Sequence, residues 1–481
     1  MAERSEHFSF PLRANFPFKS VDGRQPRTTL SGDAISHANI SPYVGQRSIT
    51  GGIEEDPTTP LPPVDRGIKA WSFIVGAFIL ETLVWGLGFS YGVFQEYHIS
   101  HKTFNKVSEA AIGAVGTTTL AIGYFECLIV ILAAQHWPDK IRLVMWSSLV
   151  LCVGSLVLAS FSTKIWHLQL LQGICFGIGC GGLYAPVLIY LSEWFSARRG
   201  FAGSIIFGGS GIGGAVFPVT INLLLERFGF RWTLRIFALG ILILGVAALK
   251  VTRARLPVLR TNRASVSFVT RVRRQHWSFL LSPLFLSVSS TVFIQALAYF
   301  PVSLYMSVYT ASLGLPPSSG TSVLAVFNLA SVTGQILFGH LCDIVPYPFV
   351  MIGSGAGAAL SAYLLWGFAH SLPQVFAFVV IFGSLSGGFS SMFPAASVQI
   401  AGSEGSVSNV IGVLSAVKGV AAIVGPLVAA ALHRPQDKEN KSSYGGYGFS
   451  QVTVFVGSMM VTTAAGGITT RIIGARSGAF S

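Results

Sequence analysis

Three charged side chains lie deep inside otherwise apolar stretches of this 481-residue sequence: Glu81, Glu126 and Lys418. Each would cost several kcal/mol if it faced lipid, so we expect each to face a cavity or a partner. Burial favours the neutral form of a carboxylate, which makes both glutamates candidates for proton exchange; the alternative is a fixed ion pair or a hydrogen-bonded structural acid. Lys418 could bind an anionic substrate or pair with one of the glutamates.

Uncharged polar side chains in other apolar stretches could orient a small-molecule ligand. A single Gln, Asn or Tyr in such a helix more often forms a hydrogen bond to a neighbouring helix. The candidates for contact with substrate or proton are Tyr184, Gln295, Tyr299 and Asn328.

Charged residues at predicted helix ends are candidates for a cytoplasmic gate. Arg198 and Arg199 begin the fifth predicted helix, where their simpler role is anchoring by the positive-inside rule. Asp343 ends the eighth, where an acid can latch one conformation. The residue 208 positions before Asp343 is Gln135, so the first half of the chain lacks the matching acid.

The sequence contains no pattern that would carry enzymatic chemistry. We find no Ser/His/Asp set and no phosphate-binding loop, and the five cysteines match no zinc site or disulfide framework. We therefore expect no enzyme activity, no cofactor and no metal. The net charge of +13 lies in short patches between apolar runs, without a nucleic-acid motif, so we expect no nucleic-acid partner.

The composition predicts a membrane protein. Only 11% of the residues are charged and 51% are hydrophobic, too few charges for a water-facing surface. Runs of about twenty apolar residues match a hydrocarbon core roughly 30 Å thick. Twelve predicted helices cover residues 68–94, 109–134, 141–161, 166–192, 200–225, 235–251, 278–308, 320–342, 348–369, 373–400, 405–432 and 448–473.

A fixed offset of 208 residues relates the two sets of six helices. It connects Pro138 with Pro346, Pro186 with Pro394, Pro218 with Pro426, and Gly211 with Gly419. The predicted fold class is therefore an all-α membrane protein with twelve transmembrane helices in two pseudo-symmetric six-helix bundles, a pattern that usually frames a binding site near the membrane midplane. The predicted domains are a disordered cytoplasmic tail (1–67), an N-terminal bundle (68–251), a basic linker (252–277) and a C-terminal bundle (278–476).

The charge distribution predicts which ends of the helices are cytoplasmic. The linker contains seven arginines and no acid, so it should lie inside and attract anionic membrane lipids. Asn440-Lys441-Ser442 then becomes a glycosylation sequon in an outer loop, with Asn440 as the candidate site. The glycine-rich fifth helix, which includes Gly209 and Gly213, should pack tightly against a neighbour, because small residues drive helix association in lipid.

Two motifs resemble those of a known family. PVDRGIKAW (Pro63–Trp71), followed by FSYGVFQEY (Phe89–Tyr97), resembles the first signature of the monocarboxylate porter family of the major facilitator superfamily, especially its fungal branch. EWFSARRGFAGSIIFGGSG (Glu193–Gly211) resembles the second. The resemblance implies transport by alternating access around a central cavity. Animal members have a lysine in helix 1 and an Asp/Arg pair in helix 8; this chain has Phe89, Ser331 and Gln335 there.

These observations predict a secondary transporter of the plasma membrane. It would move a small organic acid or an amphipathic metabolite outward, with protons as a candidate coupling ion. Proton-coupled monocarboxylate uptake, a nutrient sensor with a transporter fold, and a location in the vacuolar membrane are the alternatives.

Overall fold

The computed structural model describes most of the chain from residue 62 onward. Within the described ranges every regular element is helical. The tail predicted at 1–67 therefore lies mostly outside the described residues, as does most of the linker. The described ranges are 62–104, 107–196, 198–256, 269–270, 272, 277–402, 406–434 and 444–476.

The first half begins with four helices, and their bounds match the predicted spans to within a few residues. The first of them bends at Ser90, which separates Ile68–Phe89 from Tyr91–Ser100. The four are α1 (Ile68–Ser100), α2 (Glu109–His136), α3 (Ile141–Ala159) and α4 (Ile165–Trp194).

The next helix, Arg199–Val251, contains two membrane spans joined without a loop. Its 53 residues would extend about 80 Å if straight, far more than a membrane is thick. Gly229 breaks it, with a φ of 70° that disfavours residues with a side chain. We number the two parts α5 (199–228) and α6 (230–251). The prediction of a loop from residue 226 to residue 234 is therefore wrong, because the helix is interrupted at Gly229 alone.

The second half repeats this arrangement. A turn of 3₁₀ helix, Ser278–Leu281, leads into it. Eleven helices in the described residues are long and apolar enough to cross a membrane, and the break at Gly229 makes the number of spans twelve. The second set is α7 (Pro283–Ser312), α8 (Pro317–Ile344), α9 (Tyr347–Trp366), α10 (Leu372–Ala401), α11 (Val407–Leu432) and α12 (Ser450–Arg476).

Equivalent glycines make equivalent contacts between the two halves. A methyl group on Gly211 of α5 would collide with Val332 of α8. One on Gly419 of α11 would lie 3.1 Å from Cβ of Tyr124 on α2. Gly211 and Gly419 are 208 residues apart, and so are Tyr124 and Val332. The halves therefore face each other with the predicted pseudo-symmetry.

Glycines of α5 also bring its backbone against α1, as the sequence predicts. A methyl group on Gly213 would lie 2.7 Å from Cα of Gly86, and a methyl on Gly86 would lie 2.7 Å from Cα of Gly213. Such an approach replaces side-chain packing with direct backbone contact, which stabilises helix pairs in lipid. It also fixes α1, and with it Glu81, against α5.

Candidate functional site

A cavity lies between the two halves and receives side chains from eight helices. It encloses about 600 Å³ of space between atoms, including the part that is open to solvent. Its lining contains two charged residues, together with aromatic and small polar groups. The lining residues are Glu81, Trp85, Phe89, Tyr124, Tyr184, Phe207, Ser210, Gln295, Tyr299, Gln335, Ser386, Gly387, Ser390, Phe393 and Lys418.

Lys418 of α11 provides the positive charge of this cavity, and only 8% of it is exposed. Its Nζ donates a hydrogen bond of 2.9 Å to Oγ of Ser390. The ammonium lies 5.3 Å from the ring centre of Tyr124 and 5.6 Å from that of Phe393, within the range of cation–π attraction. These contacts with uncharged groups hold the side-chain nitrogen of Lys418 at the cavity wall.

The backbone of α10 explains how Ser390 reaches Lys418. Pro394 has no amide hydrogen, so it cannot donate to the carbonyl oxygen of residue 390 four positions earlier. The helix tightens to a 3₁₀ turn over Phe389–Met392 just before this proline. The change in winding brings both Ser390 and Phe393 to the cavity.

Glu81 of α1 is the acid of the cavity and is only 2% exposed. Its Oε1 is buried and has no hydrogen-bond partner among the residues that the structure describes. Glu81 and Lys418 attract each other electrostatically. A buried carboxylate oxygen without a partner is costly, so this group is suited to accept a proton.

Aromatic rings form one wall of the cavity. Trp85 lies one helical turn from Glu81, and its ring centre is 4.3 Å from that of Tyr124. Tyr184 packs edge-on against the same indole at 5.1 Å. Across the boundary between the halves, Tyr124 meets Phe300 of α7 at 6.2 Å. A ligand in this cavity therefore contacts large apolar faces beside one cation.

The second half contributes uncharged polar groups. Nε2 of Gln295 donates to both the backbone oxygen and Oγ of Ser386, each at 3.0 Å. Oε1 of Gln335 is buried and, within the described ranges, accepts no hydrogen bond. Phe89 and Gln335 line the cavity where the family resemblance would place a lysine and an arginine. Lys418 thus supplies, from another helix, the cation that those two positions lack.

Two of the candidate residues lie away from the cavity. Glu126 packs against the backbone of α4, where a methyl group on Gly181 would lie 2.6 Å from its Cβ. Asn328 forms a contact between helices, its Nδ2 donating to the backbone oxygen of Gly214 at 3.0 Å. Glu81, Lys418, Tyr184, Gln295 and Tyr299 do come together in the lining.

The gate candidates lie where α8 ends and α5 begins. We call the end of the molecule at which α6 ends and α7 begins the linker end. There Oδ2 of Asp343 accepts a hydrogen bond of 3.1 Å from the amide of Phe201, and the amide of Gly200 also donates to this carboxylate. The carboxylate thus caps the positive N-terminus of α5 from the other half.

The two arginines beside this cap differ in environment. Arg198 is exposed. Arg199 is half-buried, and its guanidinium donates to the backbone oxygens of Phe195 and Ser192 at 3.2 and 3.3 Å.

The two family-like motifs contact each other at the linker end. Oδ1 of Asp65, from the first motif, accepts hydrogen bonds from the amides of Ser196 and Arg198, in the second, at 3.0 and 3.2 Å. The segment before α1 therefore holds the turn between α4 and α5 in place. No role for Asp65 was predicted from the sequence, although the presence of both motifs could have suggested their contact.

Other lining residues also escaped the sequence analysis, although some carried a signal. Trp85 lies four residues after Glu81, on the same helix face. Phe89, named above only as the residue at the family's lysine position, lies one turn further along that face. Ser210 is related to Lys418 by the 208-residue offset. No sequence signal pointed to Ser390 and Phe393, because their positions depend on the local winding of α10. Asn440 lies outside the described residues.

Comparisons with known proteins agree with this architecture. Residues 73–426 match the family model described as Major Facilitator Superfamily. The chain is 28% identical to the Aspyridones efflux protein of Emericella nidulans over 82% of this chain and 76% of that one. It is 26% identical to the Probable transporter MCH2 of Saccharomyces cerevisiae, over 67% of each chain. It is also 26% identical to human Monocarboxylate transporter 12, over 60% of this chain and 61% of the human one.

Proposed function

The chain belongs to the Major Facilitator Superfamily, and from this membership we propose that it exports an amphipathic organic anion across the plasma membrane. The superfamily and the membrane spans make it a multi-pass membrane transporter. Its cargo, the outward direction and the particular membrane are the subject of this proposal. The name of the relative called an efflux protein supports the direction.

The observation that carries the proposal is the place of Lys418 between aromatic rings. Its ammonium contacts the uncharged side chains of Ser390, Tyr124 and Phe393. Glu81 is the acid in the lining that competes with an incoming anion for the charge of Lys418. The rings offer apolar surface to the rest of the cargo. A small acid such as a short carboxylate would leave most of that surface uncovered, so the aromatic wall favours a larger, amphipathic anion.

Glu81 couples this anion to a proton. Ionised Glu81 and a bound anion compete for the charge of Lys418, so protonation of Glu81 strengthens anion binding. By reciprocity, the anion strengthens proton binding to the same extent. Proton and anion then move in the same direction, and export is driven by the concentration of the metabolite inside the cell.

Contacts between the halves at the linker end serve as the inner gate. This end is cytoplasmic on the predicted topology. Asp343 caps α5 there, and the cap must break when the cavity opens to the cytoplasm. In alternating access, this cap breaks when the cavity opens to the cytoplasm, and contacts at the opposite end of the molecule form in its place.

Flux through the purified protein tests the proposal. The full chain is reconstituted in liposomes loaded with radiolabelled octanesulfonate, which stays ionised at every relevant pH and therefore crosses lipid slowly. We expect saturable efflux that increases when the internal and external pH are lowered together, and none from protein-free liposomes. Binding of octanesulfonate without net flux would instead favour a sensor. Absence of both would refute an anion carrier. Fluorescent tagging of the chain in cells tests the assignment to the plasma membrane.

A further inference from the structure

An arginine at the end of the molecule opposite the linker end contacts two aromatic rings. Arg235 lies near the start of α6, and its guanidinium carbon is 4.7 Å from the ring centre of Phe161 and 4.9 Å from that of Trp232. Its Nε donates a hydrogen bond of 3.0 Å to Oγ of Ser160, where α3 ends. These contacts hold the half-buried guanidinium at the junction of α3 and α6.

The charge of Arg235 is not paired with an acid in the part of the chain that the structure describes. A guanidinium has five N–H groups, and only the one on Nε has an acceptor among those residues. The acid nearest to it in sequence, Glu226, accepts a hydrogen bond from Asn222 instead. Arg231, one helical turn before Arg235, adds an exposed cation, and like charges at this spacing repel each other. This junction therefore offers positive charge and N–H donors to an anion.

An apolar face of the two helices runs from this guanidinium toward the middle of the membrane. Both rings that contact Arg235 are more than half exposed. Leu239 and Ile243 follow Arg235 at intervals of four residues on the same face of α6, and they are 57% and 60% exposed. Leu158 of α3 is also more than half exposed. In a membrane-spanning protein these side chains contact hydrocarbon.

Helix geometry places the guanidinium at the depth of lipid headgroups. Arg235 is sixteen residues from Val251, where α6 ends, or about 24 Å along the helix axis. Phe161 is twenty residues from Ile141, where α3 begins, or about 30 Å. A hydrocarbon core is roughly 30 Å thick, so Arg235 and Phe161 lie near the boundary between acyl chains and headgroups.

We propose that Arg235 binds the phosphate group of a membrane phospholipid, which is a lipid of the outer leaflet on the predicted topology. The terminal N–H groups donate to two phosphate oxygens, and an acyl chain lies along Leu158, Leu239 and Ile243. A free phosphate ion would use the guanidinium alone, whereas a phospholipid also covers the exposed apolar face, which favours the lipid. The bound phosphate stabilises the junction of α3 and α6. This assignment is independent of the cargo and the direction proposed above.

Photo-crosslinking of lipids to the purified full chain tests the assignment. Dioleoylphosphatidylglycerol and dioleoylglycerol, each with a diazirine on one acyl chain, are added separately to the protein in detergent micelles without other lipid. Mass spectrometry measures the adducts on α3 and α6 relative to those on α9 and α12. We expect this ratio to be at least about threefold higher for the phospholipid. Arg235→Gln should lower it to the value of dioleoylglycerol, and Arg235→Lys, which keeps the charge and loses the fork, should retain part of the difference.

Arg434→Gln is the matched control, because Arg434 is an exposed cation at the same end of the molecule in the second half. Its ratio should equal that of the parent protein. Equal ratios for the two lipids in the parent, a phospholipid ratio that survives Arg235→Gln, or an equal loss in Arg434→Gln would each overturn the assignment. A large excess of inorganic phosphate should leave the ratio unchanged, and loss of the adducts would show a site for free phosphate instead of a lipid. Melting temperatures confirm folding, and Arg235→Lys decides the outcome should Arg235→Gln fail to fold.

Discussion

Gln135 and Asn409 form a hydrogen bond of 2.7 Å between the two halves, at the positions that correspond by pseudo-symmetry to the contact between Asp343 and Phe201. Gln135 precedes Asp343 by 208 residues, and Phe201 precedes Asn409 by the same number. The linker end is therefore closed at two pseudo-symmetric places, where α8 meets α5 and where α2 meets α11. Where α8 meets α5, a carboxylate accepts hydrogen bonds from backbone amides. Where α2 meets α11, two uncharged side-chain amides bond to each other.

Loss of the charged contact should open the linker end. Asp343→Ala removes a cap of the N-terminus of α5, worth about 0.5–2 kcal/mol, and should shift the equilibrium toward the open form about two- to thirtyfold. Ser204 packs beside Gly339 at this contact and is buried. In a background without native cysteines, Ser204→Cys should react with a water-soluble maleimide faster by a similar factor.

The control for the gate is Asp139→Ala, which removes an exposed acid at the same end of the molecule. It should leave the labelling rate of Ser204→Cys within about twofold of the parent, since it removes no helix cap. Unchanged labelling in Asp343→Ala would show that this cap does not hold the gate closed.

Lys418 should discriminate charged from neutral ligands. Lys418→Ala removes a charge-assisted contact worth about 1.5–3 kcal/mol, so octanesulfonate should bind about 10- to 100-fold more weakly. Octanesulfonamide should lose less than about threefold, and Lys418→Arg should restore part of the anion affinity. Isothermal titration measures both ligands. Equal losses for the two would mean that Lys418 supports the cavity wall and does not bind the anion.

The two membrane glutamates should behave differently as the pH changes. Glu81 lines the cavity beside Lys418, whereas Glu126 packs against α4. Glu81→Gln fixes the neutral form, so it should flatten the pH dependence of net octanesulfonate flux while retaining exchange of labelled for unlabelled anion. Glu126→Gln should keep the slope of the parent protein. A flat profile in Glu126→Gln and a normal one in Glu81→Gln would reverse the assignment of the proton site.

Much of the fold was predictable because the membrane imposes it. Apolar length and the 208-residue offset of Pro186 and Pro394 predicted the spans and the two halves. The break between α5 and α6 was predicted, but as a loop of nine residues, because polar residues around Gly229 are typical of a loop; the backbone needed only one residue with positive φ. Hydropathy reports whether a residue is in the membrane and carries little information about a one-residue turn.

The site was less predictable because the rotation of each helix about its axis decides which residues face the cavity. From the sequence, Glu81 and Glu126 are equally good candidates for a place in the cavity, yet only Glu81 is in the lining that the structure describes. Asn328 and Gln295 are likewise similar by type, and Asn328 instead bonds to Gly214 of α5. The cavity combines residues from eight helices, so its composition depends on tertiary packing that a single sequence does not contain.

Close contact between α1 and α5 should make Gly213 sensitive to one added methyl group. Gly213→Ala places this methyl 2.5 Å from the backbone oxygen of Thr82 and must push the helices apart, at a cost of about 1–3 kcal/mol. Gly240→Ala is the matched control, since its methyl meets nothing within 4 Å and alanine is the better helix former. In detergent, Gly213→Ala should melt several degrees below the parent protein, and Gly240→Ala should melt at the same temperature or slightly above it. Equal melting temperatures would show that α1 and α5 tolerate separation, and that their close approach contributes little to stability.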